Sequence, residues 1–187
     1  QKSLGIIAAS AGNHAQGVAL ACKVLNINCN IVMPLTAPEN KLNSVKRLGA
    51  KITLYGENLA EALVKADEIC KKHKYTFVHP YDDPFTIAGQ GTIGKEILED
   101  GINYYAIFVP VGGGGLLAGI SAWVRHHSKK IKIIGVEVDD SACLTEALKS
   151  NKRVLLKRVG LFADGVAVSQ VGKYNLEVIK ECVDEVM

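Results

Sequence analysis

The sequence predicts an α/β fold, with parallel-rich twisted sheets flanked by helices in a smaller unit followed by a larger one. Three observations carry this. Short apolar runs alternate with amphipathic stretches along nearly all of the 187 residues, the pattern left by successive β-α-β units. Of two junctions between such runs, the one at 9–17 is dominated by small residues and the one at 109–118 holds four consecutive glycines. One break, at Pro80–Pro84, gathers two prolines and two aspartates and is where a domain boundary is expected. Residues 1–83 are assigned to the smaller unit and 84–187 to part of the larger.

Strands are expected at Leu4–Ala9, Cys29–Met33, Lys51–Tyr55, Tyr75–His79, Tyr104–Val109 and Lys132–Val138, with helices in the intervals. Three helix starts have chemistry behind them. Thr36-Ala37-Pro38-Glu39 has the form of a capping box, Asn58 to Glu61 is similar, and Asp83-Pro84 puts proline where a first turn tolerates it. Gly49 and Gly101 supply stops. Between Asn58 and Lys72, Leu59, Ala62, Leu63, Ala66 and Ile69 recur at helical spacing, so that helix buries one face and leaves its charged residues in water.

Charge is close to balanced, with 22 Lys+Arg against 19 Asp+Glu, and no basic stripe carries interleaved aromatics, so nucleic acid is not an expected partner. The densest basic runs, Lys71–Lys74 and Arg125–Lys130, fall at expected helix ends, where cations complement the dipole. Tyr104 to Val124 is uncharged and long enough to span a bilayer. Pro110 and Gly112–Gly115 interrupt it, however, and no membrane segment is expected. Cys22, Cys29, Cys70, Cys143 and Cys182 form no Cys-x-x-Cys pair, which suits buried thiols in a reducing, cytoplasmic compartment. The chain opens at Gln1 and stops in a strand-like run at Glu185–Met187, so it is expected to be a piece of a longer protein.

Ala9-Ser10-Ala11-Gly12-Asn13-His14-Ala15-Gln16-Gly17 follows a strand and opens a helix. Unpaired N–H groups and the helix dipole at such a junction favour a carboxylate or phosphate, and Asn13 adds a neutral donor and acceptor. The plainer alternative makes Ser10 a helix cap with polar neighbours. The second junction is Val109-Pro110-Val111-Gly112-Gly113-Gly114-Gly115-Leu116-Leu117-Ala118. Four consecutive glycines cost backbone entropy and remove every side chain that would hold a large anion off the amides. A phosphate cradle is the reading, and a tight turn the alternative. Gly113, Gly115 and Ala118 also satisfy Gly-x-Gly-x-x-Ala, with Glu137 spaced to hold a ribose, so a nicotinamide-dependent dehydrogenase stays open. That fingerprint leaves the Ser10–His14 junction without a role.

Together with Ile87-Ala88-Gly89-Gln90-Gly91-Thr92 and Gly160-Leu161-Phe162-Ala163-Asp164-Gly165-Val166-Ala167-Val168, the two junctions resemble the serine/threonine dehydratase group of fold type II pyridoxal-phosphate enzymes, the class similar to the tryptophan synthase β chain. Asp140-Ser141-Ala142-Cys143-Leu144 and the Gly160–Val168 stretch are most similar to the biosynthetic threonine dehydratases. The resemblance implies pyridoxal 5'-phosphate as cofactor. Gly112, Gly113, Gly114, Gly115 and Leu116 would hold its phosphate and Asn13 its phenolic oxygen, with Gly165 near its ring. Ser10, Gly12, Asn13 and His14 would receive the carboxylate of a small amino-acid substrate. The implied reaction removes water and ammonia from L-threonine, or from L-serine. With threonine it yields 2-oxobutanoate, the first step of isoleucine biosynthesis. Serine racemisation would use the same residues. A homo-oligomer is the implied assembly of the full-length protein.

Two parts of the family pattern have no match. The Schiff-base lysine is implied upstream of Gln1, because Lys2 lacks the Ser-x-Lys-x-Arg-like context, and the serine that meets the pyridine nitrogen is implied beyond Met187. No catalytic residue is therefore assigned within the chain, which by itself is expected to be inactive. A binding module without the lysine is the third reading. Glu137 matches the glutamate of a cation site that some relatives have, but Cys143 stands where the last carboxylate would be, and no metal is expected. His73, His79, His126 and His127 lack zinc spacing.

Overall fold

The computed structural model describes residues 4–160 and 162–187; Leu161, within the Gly160–Val168 motif, and Lys2 lie outside the described residues. The chain divides into two compact units, one ending at Pro80 and the other beginning at Tyr81. Tyr81, Asp82 and Asp83 go with the second unit because their partners are there. Asp82 accepts the amides of Lys173 and Tyr174, and Asp83 caps the helix that follows it.

The first unit runs β1 (Ile6–Ala9), α1 (Asn13–Leu25), β2 (Cys29–Met33), α2 (Glu39–Arg47), β3 (Lys51–Leu54), α3 (Leu59–His73) and β4 (Thr76–Phe77). Its sheet is parallel throughout, in the order β3-β2-β1-β4. Successive strand residues point to opposite faces, so the sheet has two cores. Ala8, Ile31 and Met33 pack with Ala15, Ala19 and Val45 on one face. Ile7, Ala9 and Val32 pack with Ala62 and Ala66 of α3 on the other. The strand expected from Leu4 begins at Ile6, because Gly5 adopts a φ of 100° that L side chains avoid.

Asn58 and Glu61 form the expected reciprocal cap. Asn58 Oδ1 accepts the Glu61 N–H at 3.0 Å, and the Glu61 carboxylate accepts the Glu57 N–H at 2.9 Å. The box expected at Thr36 does not form. Pro38 is the N-cap of α2, and the Thr36 hydroxyl donates instead to the Glu57 carbonyl, 3.1 Å away.

The second unit runs α4 (Pro84–Glu99), β5 (Ala106–Pro110), α5 (Gly115–His127), β6 (Lys132–Val136), α6 (Cys143–Ser150), α7 (Lys173–Cys182) and β7 (Glu185–Val186), and its three strands are parallel in the order β5-β6-β7. Strand, turn and helix thus replace the uncharged stretch at Tyr104–Val124, and among the described residues no helix is long and apolar enough to cross a membrane. Val109, Leu117, Val124, Ile133, Leu144 and Ile179 belong to one core cluster.

The Ile87–Thr92 motif lies inside α4, where the second of its two glycines, Gly91, lets two helix backbones touch. A Cβ on Gly119 of α5 would stand 2.4 Å from the Ile87 carbonyl oxygen, and one on Gly91 would stand 3.2 Å from the Gly119 oxygen. This packing fixes the course of α5, whose first turn is the tetraglycine junction. Arg125, expected as a solvated helix-end cation, instead donates to the Cys182 carbonyl at the end of α7 and to Asp184.

Candidate functional site

An α-helix begins with N–H groups that have no intrahelical acceptor, and most helices here satisfy them with their own chain. Asn58 caps α3, and Asp83 Oδ1 accepts from Phe85 and Thr86 at the start of α4. Two caps come from farther away: Glu137 accepts the amides of Leu144 and Thr145 in α6 at 2.9 and 2.7 Å, and Asp82 accepts those of Lys173 and Tyr174 in α7 at 2.8 and 2.9 Å. The first turn of α2 carries the acid Glu39. Among the described residues, the first turns of α1 and α5 have neither a capping side chain nor an acid. These are the two junctions singled out by sequence.

At the mouth of α1, Ser10 is buried and its Oγ accepts the Gly12 N–H at 3.1 Å. The hydroxyl therefore braces the turn before the helix and leaves the first helical amides uncapped. Asn13 is exposed, and a Cβ added to Gly12 would meet nothing within 4 Å. Among the described residues, no neighbour requires the missing side chain at Gly12. His14 is tied down, with Nε2 3.1 Å from the Val78 carbonyl oxygen; that contact needs the tautomer whose Nε2–H donates. Burial pushes the imidazole pKa below its ordinary value, opposed by the bond to Val78 and reinforced by the charge of His79. The ring is neutral at pH 7, so an anion at this mouth would be met by amides rather than by an imidazolium.

The mouth of α5 is built differently. A Cβ on Gly113 would stand 2.3 Å from Tyr81 Cγ, one on Gly115 2.8 Å from the Tyr81 carbonyl oxygen, and one on Gly112 3.1 Å from Val166 Cα. Gly114 has a φ of 89°, and its Cβ would lie 3.2 Å from that of Asn175. Packing thus excludes a side chain at Gly113 and Gly115, the positive φ disfavours one at Gly114, and at Gly112 Val166 would have to give by a few tenths of an ångström. The carbonyls are also engaged. The Cys143 thiol lies 3.5 Å from the Gly112 oxygen, Gly113 O accepts from Gly172 N at 3.0 Å and from Asn175 Nδ2 at 2.7 Å, and Gly114 O accepts the Ala118 N–H at 2.9 Å. With the carbonyls held inward, the donors of the first turn, Leu116 among them, face an end of the helix that no acid occupies. The donor set fits a phosphate dianion. The bonds to the Gly112 and Gly113 carbonyls come from other elements, whereas the one to Gly114 is the first bond of α5 itself.

Gly165 sits in a single 3-10 turn, Asp164–Val166, with open space where a Cβ would be. The same turn reaches the glycine loop through Val166. Tyr81, Asp82 and Asn175 were not singled out by sequence. For Asn175 the signal was a polar residue at a core-facing position of an amphipathic helix, beside Leu176 and one turn before Ile179.

Glu137 bears on the dehydrogenase reading. Both its oxygens are taken by the amides of α6, which leaves no carboxylate oxygen free of a partner to hold a ribose. Beside it, burial first and then the Glu137 charge push the Cys143 thiol up to about 12, so it is a protonated thiol. Among the described residues, no group of three or more His, Cys, Asp or Glu is placed to hold a metal ion.

Over residues 1–187 the sequence matches the family described as pyridoxal-phosphate dependent enzyme. The chain belongs to that family. L-threonine dehydratase biosynthetic IlvA of Pasteurella multocida (strain Pm70) is 49% identical over 187 residues, which are 100% of this chain and 36% of that protein. The processed form of threonine deaminase isoform 2 from Solanum lycopersicum superposes with a TM-score of 0.94 at 45% identity, over 100% of this chain and 54% of that one. Serine racemase from Dictyostelium discoideum superposes at 0.87 with 33% identity, over 100% and 59%. The expected fold type II architecture of the pyridoxal-phosphate family therefore holds. The chain spans about a third to a little over half of the length of these relatives, 36% to 59%.

Proposed function

We propose that the full-length protein is a pyridoxal-phosphate dependent threonine dehydratase that converts L-threonine to 2-oxobutanoate and ammonia, the first step of isoleucine biosynthesis, with L-serine as a second substrate. One observation carries the reading: the two helix mouths with neither cap nor acid, α1 and α5, lie at the two motifs that a cofactor phosphate and an amino-acid carboxylate require. The 49% identity to a biosynthetic threonine dehydratase supports threonine as the substrate.

In this reading the amides of Gly112 to Leu116 hold the cofactor phosphate. Asn13, exposed at the first position of α1, donates to the phenolic oxygen. The amides of Asn13 and His14 and the hydroxyl of Ser10 receive the substrate carboxylate. Because the Ser10 oxygen already accepts from Gly12, its own proton is free to donate, and Gly12 contributes the open space. Gly165 lies near the cofactor ring. When bound, the cofactor supplies an electron-accepting ring conjugated to the substrate amine, which eases loss of the α-proton. Water lost in the elimination is regained when the released enamine hydrolyses, so the net products are the oxo acid and ammonia. The reading carries with it a homo-oligomeric protein in a reducing cytoplasmic compartment, in keeping with five free cysteines.

The test uses full-length protein. A visible absorbance band abolished by borohydride, together with threonine-dependent release of 2-oxobutanoate, is the expected result. Interconversion of L- and D-serine without oxo-acid release would replace dehydratase by racemase. Absence of the chromophore from intact protein supplied with pyridoxal phosphate would overturn the reading in favour of a binding module.

A further inference from the structure

Amides bind an anion only if they point at it, and at the mouth of α5 that direction is set by the carbonyls. A trans peptide is planar, so its C=O and N–H point opposite ways. Whatever holds the Gly113 carbonyl therefore aims the Gly114 N–H. Two donors converge on that oxygen, Asn175 Nδ2 at 2.7 Å and Gly172 N at 3.0 Å. Asn175 is fully buried, and its Oδ1 has no partner among the described residues. A buried acceptor left unpaired is destabilising, and a leucine, with the same branched skeleton, would avoid it. What asparagine adds at this position is the donor to Gly113.

The donor is itself held in place. Both oxygens of Asp82 accept first-turn amides of α7, from Lys173 at 2.8 Å and Tyr174 at 2.9 Å. Gly172 allows the three groups to meet, since a Cβ there would stand 2.5 Å from Asn175 Nδ2 and 2.7 Å from Asp82 Oδ1. Asp82, the start of α7 and the Gly113 peptide thus form one connected unit.

We propose that Asn175 is a positioning residue of the phosphate cradle: by holding the Gly113 carbonyl it turns the Gly114 N–H toward the cofactor phosphate, and Asp82 fixes Asn175 through the first turn of α7. The inference rests on the phosphate reading of this mouth given above.

The test titrates the apo form of the full-length protein with pyridoxal phosphate and records the phosphorus NMR signal of the bound cofactor. Asn175→Leu raises the Kd about tenfold or more and shifts the phosphorus resonance. Asp82→Asn, which keeps an acceptor but removes the charge, changes both in the same direction by less. A lowered Tm with wild-type Kd and an unmoved resonance would assign Asn175 to packing alone and overturn the proposal. Should Asn175→Leu fail to fold, Asp82→Asn decides it, since a wild-type Kd and resonance there overturn it equally. Wild-type protein that takes up no pyridoxal phosphate sinks the cofactor reading first and this inference with it, an outcome distinct from the others.

Discussion

The mouths of α1 and α5 look alike in sequence, each a run of small residues between a strand and a helix, yet their glycines are there for different reasons. Around Gly12 there is open space, whereas Gly112 to Gly115 are pressed by Tyr81, Val166 and Asn175. At α5 the loop is clamped by its carbonyls before any ligand arrives, which is preorganisation of the donors. At α1 the clamp lies to either side, in the Ser10 hydroxyl and the His14–Val78 bond, and the space in front of the amides is left clear. In the function proposed above, the α5 mouth would keep a cofactor and the α1 mouth would receive a substrate that comes and goes, which is the contrast such roles call for.

The contrast breaks most readily at Gly113. Gly113→Ala forces a Cβ to within 2.3 Å of Tyr81 Cγ, and overpacking of that kind costs about 1–3 kcal/mol. The expected outcome is a lower Tm and loss of most bound cofactor, read from visible absorbance after gel filtration of the full-length protein. Full retention of cofactor at wild-type Tm would show that the loop yields, and the clamp would lose its meaning.

Gly12→Ala is the counterpart. With nothing within 4 Å of the new Cβ and a φ of −122°, the Tm stays within the scatter of surface substitutions, about 0.5 kcal/mol in stability. The methyl group nonetheless stands where the carboxylate is proposed to arrive. The KM for threonine is expected to rise about tenfold, equivalent to ~1.4 kcal/mol, with cofactor retained. An unchanged KM would remove the substrate from this mouth.

Local pattern made the junctions legible in the sequence because their signals are local: small residues, a preceding strand, a following helix. The strand set was legible for the same reason, with β2 found at its full extent, Cys29–Met33. Sequence reasoning explained the tetraglycine loop by the approach of a large anion, and packing against its own neighbours is a further cause that it did not see. The neighbours that exclude side chains there, Tyr81 and Asn175, are brought by tertiary folding, and Asp82 reaches Lys173 across 91 positions of chain. No window of sequence contains such a pair. The Thr36 box failed at short range instead, because Pro38 took the cap position and the hydroxyl found the Glu57 carbonyl. Glu137 misled in the other direction. Its spacing fitted a ribose, but a helix mouth nearer in space had taken both oxygens.

The smallest expected effect concerns His14, and it sharpens the account of how the α1 mouth is held. Burial lowers its folded-state pKa below the ordinary imidazole value of 6.5, so the unfolded chain binds the proton more readily. Stability from this residue is therefore complete above the unfolded value and is lost as pH falls from there toward the lowered folded value. Thermal melts of the full-length protein between neutral and mildly acidic pH should show Tm declining with acidity, and His14→Gln should make that slope shallower while lowering Tm at neutral pH through loss of the bond to Val78. If the variant keeps the wild-type slope, the acid sensitivity lies elsewhere. The mouth of α1 would then be held by Ser10 and the helix itself, without the imidazole.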